Sequence, residues 1–258
     1  MALYDRVLIT GASSGIGTAF AEELAARGSA LVLVARRAAR LETLAVRLHE
    51  RYGVGVEVLP ADPADPEQLK RVERRLADAE KPVDLVVNNA GVGETRPFVE
   101  CSVDSEQRTL VVNALAPTRL CHAALTTMTR RGRGGIVNIA SVAGQLPAFR
   151  NSATYGASKA YLCSLSESLR LEARAAGSAV AVTAVCPGYV RTEMTVHDRV
   201  PRFAWVTKER VAHDALRGVA RNEALVAPGL LYRVAVLAAP LLPRAVVRTL
   251  SVDAPKNE

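Results

Sequence analysis

The sequence predicts one α/β domain: a doubly wound, mostly parallel seven-stranded sheet with helices on both faces (a Rossmann fold). Three observations predict it. Seven short apolar runs alternate with longer amphipathic stretches, the order of a βαβ series. The runs are rich in Val, Leu and Ile and barely alternate with polar residues, as strands covered on both faces do. A glycine-rich turn joins the first run to the first amphipathic stretch.

The strands are expected at residues 6–10, 30–35, 55–59, 85–88, 135–140, 180–186 and 224–227, and the helices at 15–28, 38–52, 66–79, 105–131, 154–177 and 207–222. Strands that alternate with helices in this way pair in parallel through right-handed crossovers. With no repeat, linker or low-complexity segment in its 258 residues, the whole chain (1–258) reads as one domain. A loop at about 189–206 and an apolar C-terminal extension at about 228–258 belong to that domain.

Lys and Arg exceed Asp and Glu by 33 to 26, a formal charge of +7. The arginines are scattered and aromatics make up 4%, so anionic small ligands fit better than nucleic acid, which is not expected as a partner. Cys101, Cys121, Cys163 and Cys186 are far apart and form neither a zinc pattern nor a disulfide framework. No metal site is expected, and a reducing, cytoplasmic location is. No signal-peptide pattern precedes the first strand. Arg233, Pro240, Pro243 and Arg244 interrupt the apolar extension. A core-packing or subunit-interface helix is therefore favoured there over a shallow membrane-surface contact.

Thr10-Gly11-Ala12-Ser13-Ser14-Gly15-Ile16-Gly17 closes the first strand and opens the first helix. Gly11, Gly15 and Gly17 let the backbone turn sharply and approach a pyrophosphate, which Ser13, Ser14, Ile16 and the helix-start N–H groups would then face. At the end of the second strand, Arg36 and Arg37 stand where an NAD site usually carries a carboxylate. Two guanidiniums there suit the 2′-phosphate of NADP, so NADPH is expected to be preferred over NADH. After the third strand, Asp62-Pro63 could meet the adenine amino group, although Asp62 and Asp65 suit a helix cap equally well. Asn88-Asn89-Ala90-Gly91 ends the fourth strand and suits either a ligand crevice or a plain turn.

Tyr155 and Lys159 lie four residues apart and share a helix face. An ammonium beside a phenol is expected to lower the phenol's pKa and let it exchange a proton near neutrality. Ser141, at the end of the fifth strand, can donate to a substrate oxygen beside that phenol. Asn113 interrupts an apolar helical run; it could bind a water leading to Lys159 or serve as a core amide satisfied by backbone.

Together, TGASSGIG (Thr10–Gly17), NNAG (Asn88–Gly91), Asn113, Ser141, YGASK (Tyr155–Lys159) and CPGYVRTEM (Cys186–Met194) resemble the short-chain dehydrogenase/reductases in order and spacing from Val7 to about Met194. The resemblance implies an Asn–Ser–Tyr–Lys set at Asn113, Ser141, Tyr155 and Lys159. It further implies that Tyr155 and Lys159 meet the nicotinamide ribose and that Pro187, Gly188, Val190 and Thr192 contact the nicotinamide end. It also implies a homodimer or homotetramer, formed through helices 105–131 and 154–177. Asp62-Pro63 departs from the family's usual Asp-Leu or Asp-Val, which leaves the side chain but removes a backbone donor. The expected activity is NADP-dependent interconversion of a ketone or aldehyde with an alcohol, with Tyr155 as general acid/base. A medium-sized apolar substrate is expected, in a pocket framed by 142–152 and a lid at 193–206 and lined by Leu146, Pro147, Phe149, Phe203 and Trp205. The alternatives are a dinucleotide-binding regulator without turnover and an epimerase or dehydratase on the same fold.

Overall fold

The computed structural model describes residues 3–145, 151–195 and 200–238. Its strands are β1 (Arg6–Thr10), β2 (Ala30–Ala35), β3 (Val56–Pro60), β4 (Leu85–Asn88), β5 (Gly135–Ile139), β6 (Ala181–Val185), β7 (Tyr189–Val190), β8 (Trp205–Val206) and β9 (Leu225–Val226). Its helices are α1 (Gly15–Ala26), α2 (Ala38–Tyr52), α3 (Pro66–Leu76), α4 (Val103–Leu110), α5 (Ala116–Arg131), α6 (Ala153–Ala175), α7 (Lys208–Ala220) and α8 (Leu230–Ala238). Seven strands form one parallel sheet in the order β3-β2-β1-β4-β5-β6-β9. The order reverses between β1 and β4, and a crevice opens there at the carboxyl ends of the strands.

Both faces of the sheet are covered, which explains its unbroken apolar runs. Val7, Ile9, Leu31 and Leu33 pack with α1, α2 and α7, while Leu8, Val32, Val34, Val86 and Ile136 pack with α3 and α5. Local chemistry sets where the helices stop. Gly53, with a φ of 69°, ends α2 at the expected Tyr52. Asp65 caps α3 by accepting from Glu67 N at 2.9 Å and Gln68 N at 3.1 Å. That helix stops at Leu76, short of the expected 79, where Asp78 turns the chain by accepting from Glu80 and Lys81.

The helix expected at 105–131 begins at Val103, because Ser102 caps it, and it is not uniform. Residues Val111–Leu115 form a widened π-helical turn between α4 and α5. Pro117 accounts for it: proline has no N–H for the carbonyl four residues back, and its ring crowds that carbonyl. The carbonyl belongs to Asn113, so the widened turn falls on a predicted site residue.

Two elements go beyond the expected set. β7 and β8 form a two-residue parallel ladder that ties together the ends of the loop at about 189–206. At the start of the apolar extension, α8 buries Tyr232 and Val236 and leaves Leu230, Leu231, Val234 and Leu237 largely exposed. Among the described residues, no helix is long and apolar enough to cross a membrane.

Candidate active site

One cleft over the carboxyl ends of β1, β2, β4 and β5 collects every residue assigned to the cofactor from sequence except Gly17. Gly17 lies beneath it. A Cβ there would sit 2.3 Å from Gly11 O and 2.7 Å from Asn89 Nδ2, so only glycine lets α1 pack against the loop. Gly11 and Gly15 hold φ of 66° and 57°, a left-handed backbone that costs glycine little. The Thr10 hydroxyl fixes the neighbouring strand end by donating to Val87 O and accepting from the N–H groups of Asn89 and Ala90, both at 3.0 Å. Asn89 Nδ2 returns a bond to Thr10 O at 2.9 Å, so the NNAG segment is locked to the glycine turn.

Side chains cap the first turns of α3, α4 and α7, but none caps α1. The α1 turn has no acidic residue and opens into the cleft, which leaves the positive helix end to an anion. Arg37 folds over the turn, donating from Nε and Nη2 to Ser13 Oγ at 3.3 and 3.1 Å and from Nη2 to Ser14 Oγ at 3.0 Å. The Cβ-free turn, the uncapped helix start and the guanidiniums beside them fit a dinucleotide phosphate.

Asp62 does not cap α3; Asp65 does. Asp62 accepts from Ala64 N at 2.9 Å and from Arg108 Nη2 at 2.7 and 3.0 Å. Burial pushes its pKa up, but the bonds from Arg108 and Ala64 outweigh that and hold the carboxyl below its usual range. Arg108 lines the cleft and was not anticipated. It lies on α4, 46 residues from its partner, and no local pattern marks such a pairing.

At the other end of the cleft, Ser141, Tyr155 and Lys159 meet. Ser141 caps a short turn through Ala143 N at 3.1 Å and borders the same cleft as the Tyr155 phenol, whose pKa its hydroxyl acts to lower. Lys159 is 4% exposed, donates to Ile139 O at 2.8 Å and places Nζ 5.6 Å from the Tyr155 ring centroid. Burial pulls its pKa from 10.5 down to about 8. The Tyr155 expectation is corrected in sign. Burial raises its pKa, and the nearby Ser141 hydroxyl opposes this without reversing it, the ammonium standing 5.6 Å from the ring centroid with no hydrogen bond to the phenol oxygen.

Asn113 does not line the cleft. Its amide donates to Val92 O at 2.8 Å and Ser158 Oγ at 3.0 Å, and its oxygen accepts from Val92 N at 2.9 Å. Its partners are thus backbone and a serine hydroxyl, close to the core-amide alternative. It still borders Lys159: a Cβ built on Gly91 would lie 3.5 Å from Asn113 Oδ1 and 3.4 Å from Lys159 Nζ.

Three contacts escaped the sequence reading. A Cβ on Gly93 would lie 2.6 Å from Tyr155 Cδ2, and one on Gly144 2.5 Å from the Lys159 carbonyl carbon. Tyr232 of α8 donates to Ala204 O at 2.6 Å, accepts from Tyr189 N at 3.2 Å and packs on Gly188, holding both ends of the loop over the cleft. Of the expected substrate lining, Leu146, Pro147 and Phe149 fall outside the described residues. Phe203 is 79% exposed, and neither it nor Trp205 lines the cleft; Trp205 turns its ring towards Tyr189 and donates to Val200 O. Val92, Val190 and Met194 are among the described apolar residues that line the cleft, with Val112, Ile139, Ala140 and Pro187.

The family model for short chain dehydrogenases matches residues 5–201. The chain is a short-chain dehydrogenase. It is 37% identical to a short-chain dehydrogenase of Sphingobium yanoikuyae whose structure was solved with NADPH; the match covers 98% of each chain, with a TM-score of 0.82. A bulky-bulky ketone specific alcohol dehydrogenase of Comamonas testosteroni matches at 35% identity and a TM-score of 0.81, over 100% of this chain and 98% of that one. A ketoacyl reductase of Nostoc sp. is 34% identical over 84% of this chain and 75% of its own. As a short-chain dehydrogenase, the protein is a nicotinamide-dependent oxidoreductase acting on CH–OH groups of a small-molecule substrate.

Proposed function

We propose that this short-chain dehydrogenase uses NADPH in preference to NADH and interconverts a medium-sized apolar ketone or aldehyde with its alcohol, with Tyr155 as general acid/base. Ser141, Tyr155 and buried Lys159 meeting in one cleft that also holds Arg36 and Arg37 carry the reading. The dinucleotide, when bound, would supply the hydride in reduction and take it up in oxidation. Ser141 and Tyr155 hold the substrate oxygen, and Tyr155 delivers its proton there in reduction and removes it in oxidation. Charged Lys159 steadies the phenolate left behind and reaches the nicotinamide ribose. Ser13, Ser14 and the start of α1 hold the phosphates, and Arg36 and Arg37 the 2′-phosphate. Pro187, Gly188, Val190 and Thr192 seat the nicotinamide end, and Asn113 positions the Lys159 surroundings.

Val92, Val190 and Met194 support an apolar substrate, as does the likeness to a bulky-ketone dehydrogenase. Val103, Leu110, Leu115 and Tyr161, exposed on and between α4, α5 and α6, support a homodimer or homotetramer through those helices. Four free cysteines fit a cytoplasmic enzyme. The test is a panel of apolar ketones with NADPH and NADH, followed by absorbance of the reduced nicotinamide. Oxidation of NADPH at least about tenfold more efficient than that of NADH is expected, and Tyr155→Phe should lower turnover by about 100- to 10,000-fold while keeping NADPH binding. Wild-type turnover in that variant, or a preference for NADH, would overturn the corresponding part of the reading.

A further inference from the structure

Arg37 has a second kind of partner that the proposed function does not use. Glu193, directly after Thr192, reaches across 156 residues of sequence and accepts from Arg37 Nη1 at 2.9 Å through Oε2. Its other oxygen accepts from Arg40 Nη1. These bonds hold the Glu193 carboxyl below its usual range, so it is an anion at neutral pH. Glu193 lines the same cleft as Ser13, Arg36 and Arg37. Its neighbour Thr192 is close against the phosphate turn: a Cβ on Gly15 would lie 3.0 Å from Thr192 Cγ2.

We infer that Glu193 is a specificity-setting residue whose carboxylate holds the arginine corner as an internal substitute for the ribose 2′-phosphate and must give way when that phosphate binds. This rests on the proposed role of Arg36 and Arg37 and deepens it. A 2′-phosphate carries about −1.5 to −2 charges at neutral pH, and a carboxylate on the same guanidinium repels it. A 2′-hydroxyl brings no such charge and leaves the Glu193 bonds in place. Glu193 therefore weakens NADPH binding and leaves NADH binding nearly untouched, compressing the ratio the arginines alone would set. Displacing it also frees Thr192–Thr195 from the base of α2, so the 2′-phosphate is coupled to the position of the loop bordering the substrate end.

The test is the dissociation constant of NADPH and of NADH, each by fluorescence titration, for wild type, Glu193→Gln and Glu50→Gln. Glu50 is exposed, ten residues beyond Arg40 on α2 and so about 15 Å along it; it controls for the change in net charge. Both ion pairs are half-exposed, so the expected effect is modest: Glu193→Gln tightens NADPH about fivefold and moves NADH by less than about twofold. Glu50→Gln leaves the ratio unchanged. An unchanged or weaker NADPH affinity in Glu193→Gln, or an equal gain for both cofactors, overturns the inference. Failure of the NADP reading looks different: wild type would bind NADH as tightly as NADPH. The inference then stands if Glu193→Gln creates a preference for NADPH and falls if it does not.

Discussion

Lys159→Met should make the folded protein more tolerant of neutral pH than the wild type, relative to its behaviour in alkali, while abolishing turnover. Burial lowers the Lys159 pKa from 10.5 to about 8, so the fold disfavours its charged form by about 3 kcal/mol when the group is protonated in both states. Because the folded pKa is depressed, the unfolded chain holds more protons between pH 8 and 10.5, and stability rises with pH across that window. Applied to these two pKa values, linkage gives the wild type a gain of about 1.3 kcal/mol between pH 7 and 9 that the methionine variant lacks. Losing the Nζ bond to Ile139 O costs the variant about 1 to 3 kcal/mol at every pH, so it cancels when the pH dependence is compared. At roughly 2 to 4 °C per kcal/mol for a domain of this size, the wild-type melting temperature should rise against the variant's by about 3 to 5 °C from pH 7 to pH 9. Thermal melts of both proteins at four or five pH values, read by circular dichroism, are sufficient. A melting-temperature difference constant with pH, or one moving the other way, would refute a buried, destabilised ammonium.

Two further outcomes follow from contacts around the cleft. Gly93→Ala puts a Cβ 2.6 Å from the Tyr155 ring and should displace the phenol, lowering kcat about 10- to 100-fold with the dissociation constant of NADPH little changed; stopped-flow turnover and fluorescence titration separate the two. Arg37→Ala removes the guanidinium that covers Ser13 and Ser14 and should raise the KM for NADPH by about tenfold or more while leaving that for NADH near its original value, as steady-state kinetics would show.

The strands were legible because coverage on both faces leaves a strong, purely local signature: β1, β2 and β4 begin and end where their apolar runs do. β3 is displaced by one residue because the ladder with β2 carries it through Ala35↔Pro60 at a sheet edge, where proline's missing donor costs no ladder bond. The π-helical turn at Asn113 was readable in principle, since Pro117 stands four residues beyond it inside a helical pattern. Periodicity averages over the distortion, and so it was missed. Arg108 on Asp62, Tyr232 on Gly188 and Glu193 on Arg37 were not readable. Each joins residues 44 to 156 positions apart whose side chains carry ordinary surface or core identities.

The sign of the Tyr155 shift shows why the remainder needed coordinates. Spacing along a helix puts Lys159 beside Tyr155, and that alone argues for a lowered phenol pKa. Adjacency does not say which atom the ammonium faces. Here Nζ is turned to Ile139 O and lies 5.6 Å from the ring, with Lys159 buried and Tyr155 half-buried in the cleft. Desolvation acts on each group individually and disfavours both charged forms, whereas their mutual attraction falls with distance. The same burial that raises the phenol thus lowers the ammonium, and two pKa values that start nearly equal are driven apart. A pair so arranged holds its proton on the phenol and its charge weakly on the lysine, and any negative charge developing on the phenol oxygen is met in a medium of low dielectric. The proton-transfer step therefore depends on a balance of burial against charge that residue spacing does not encode.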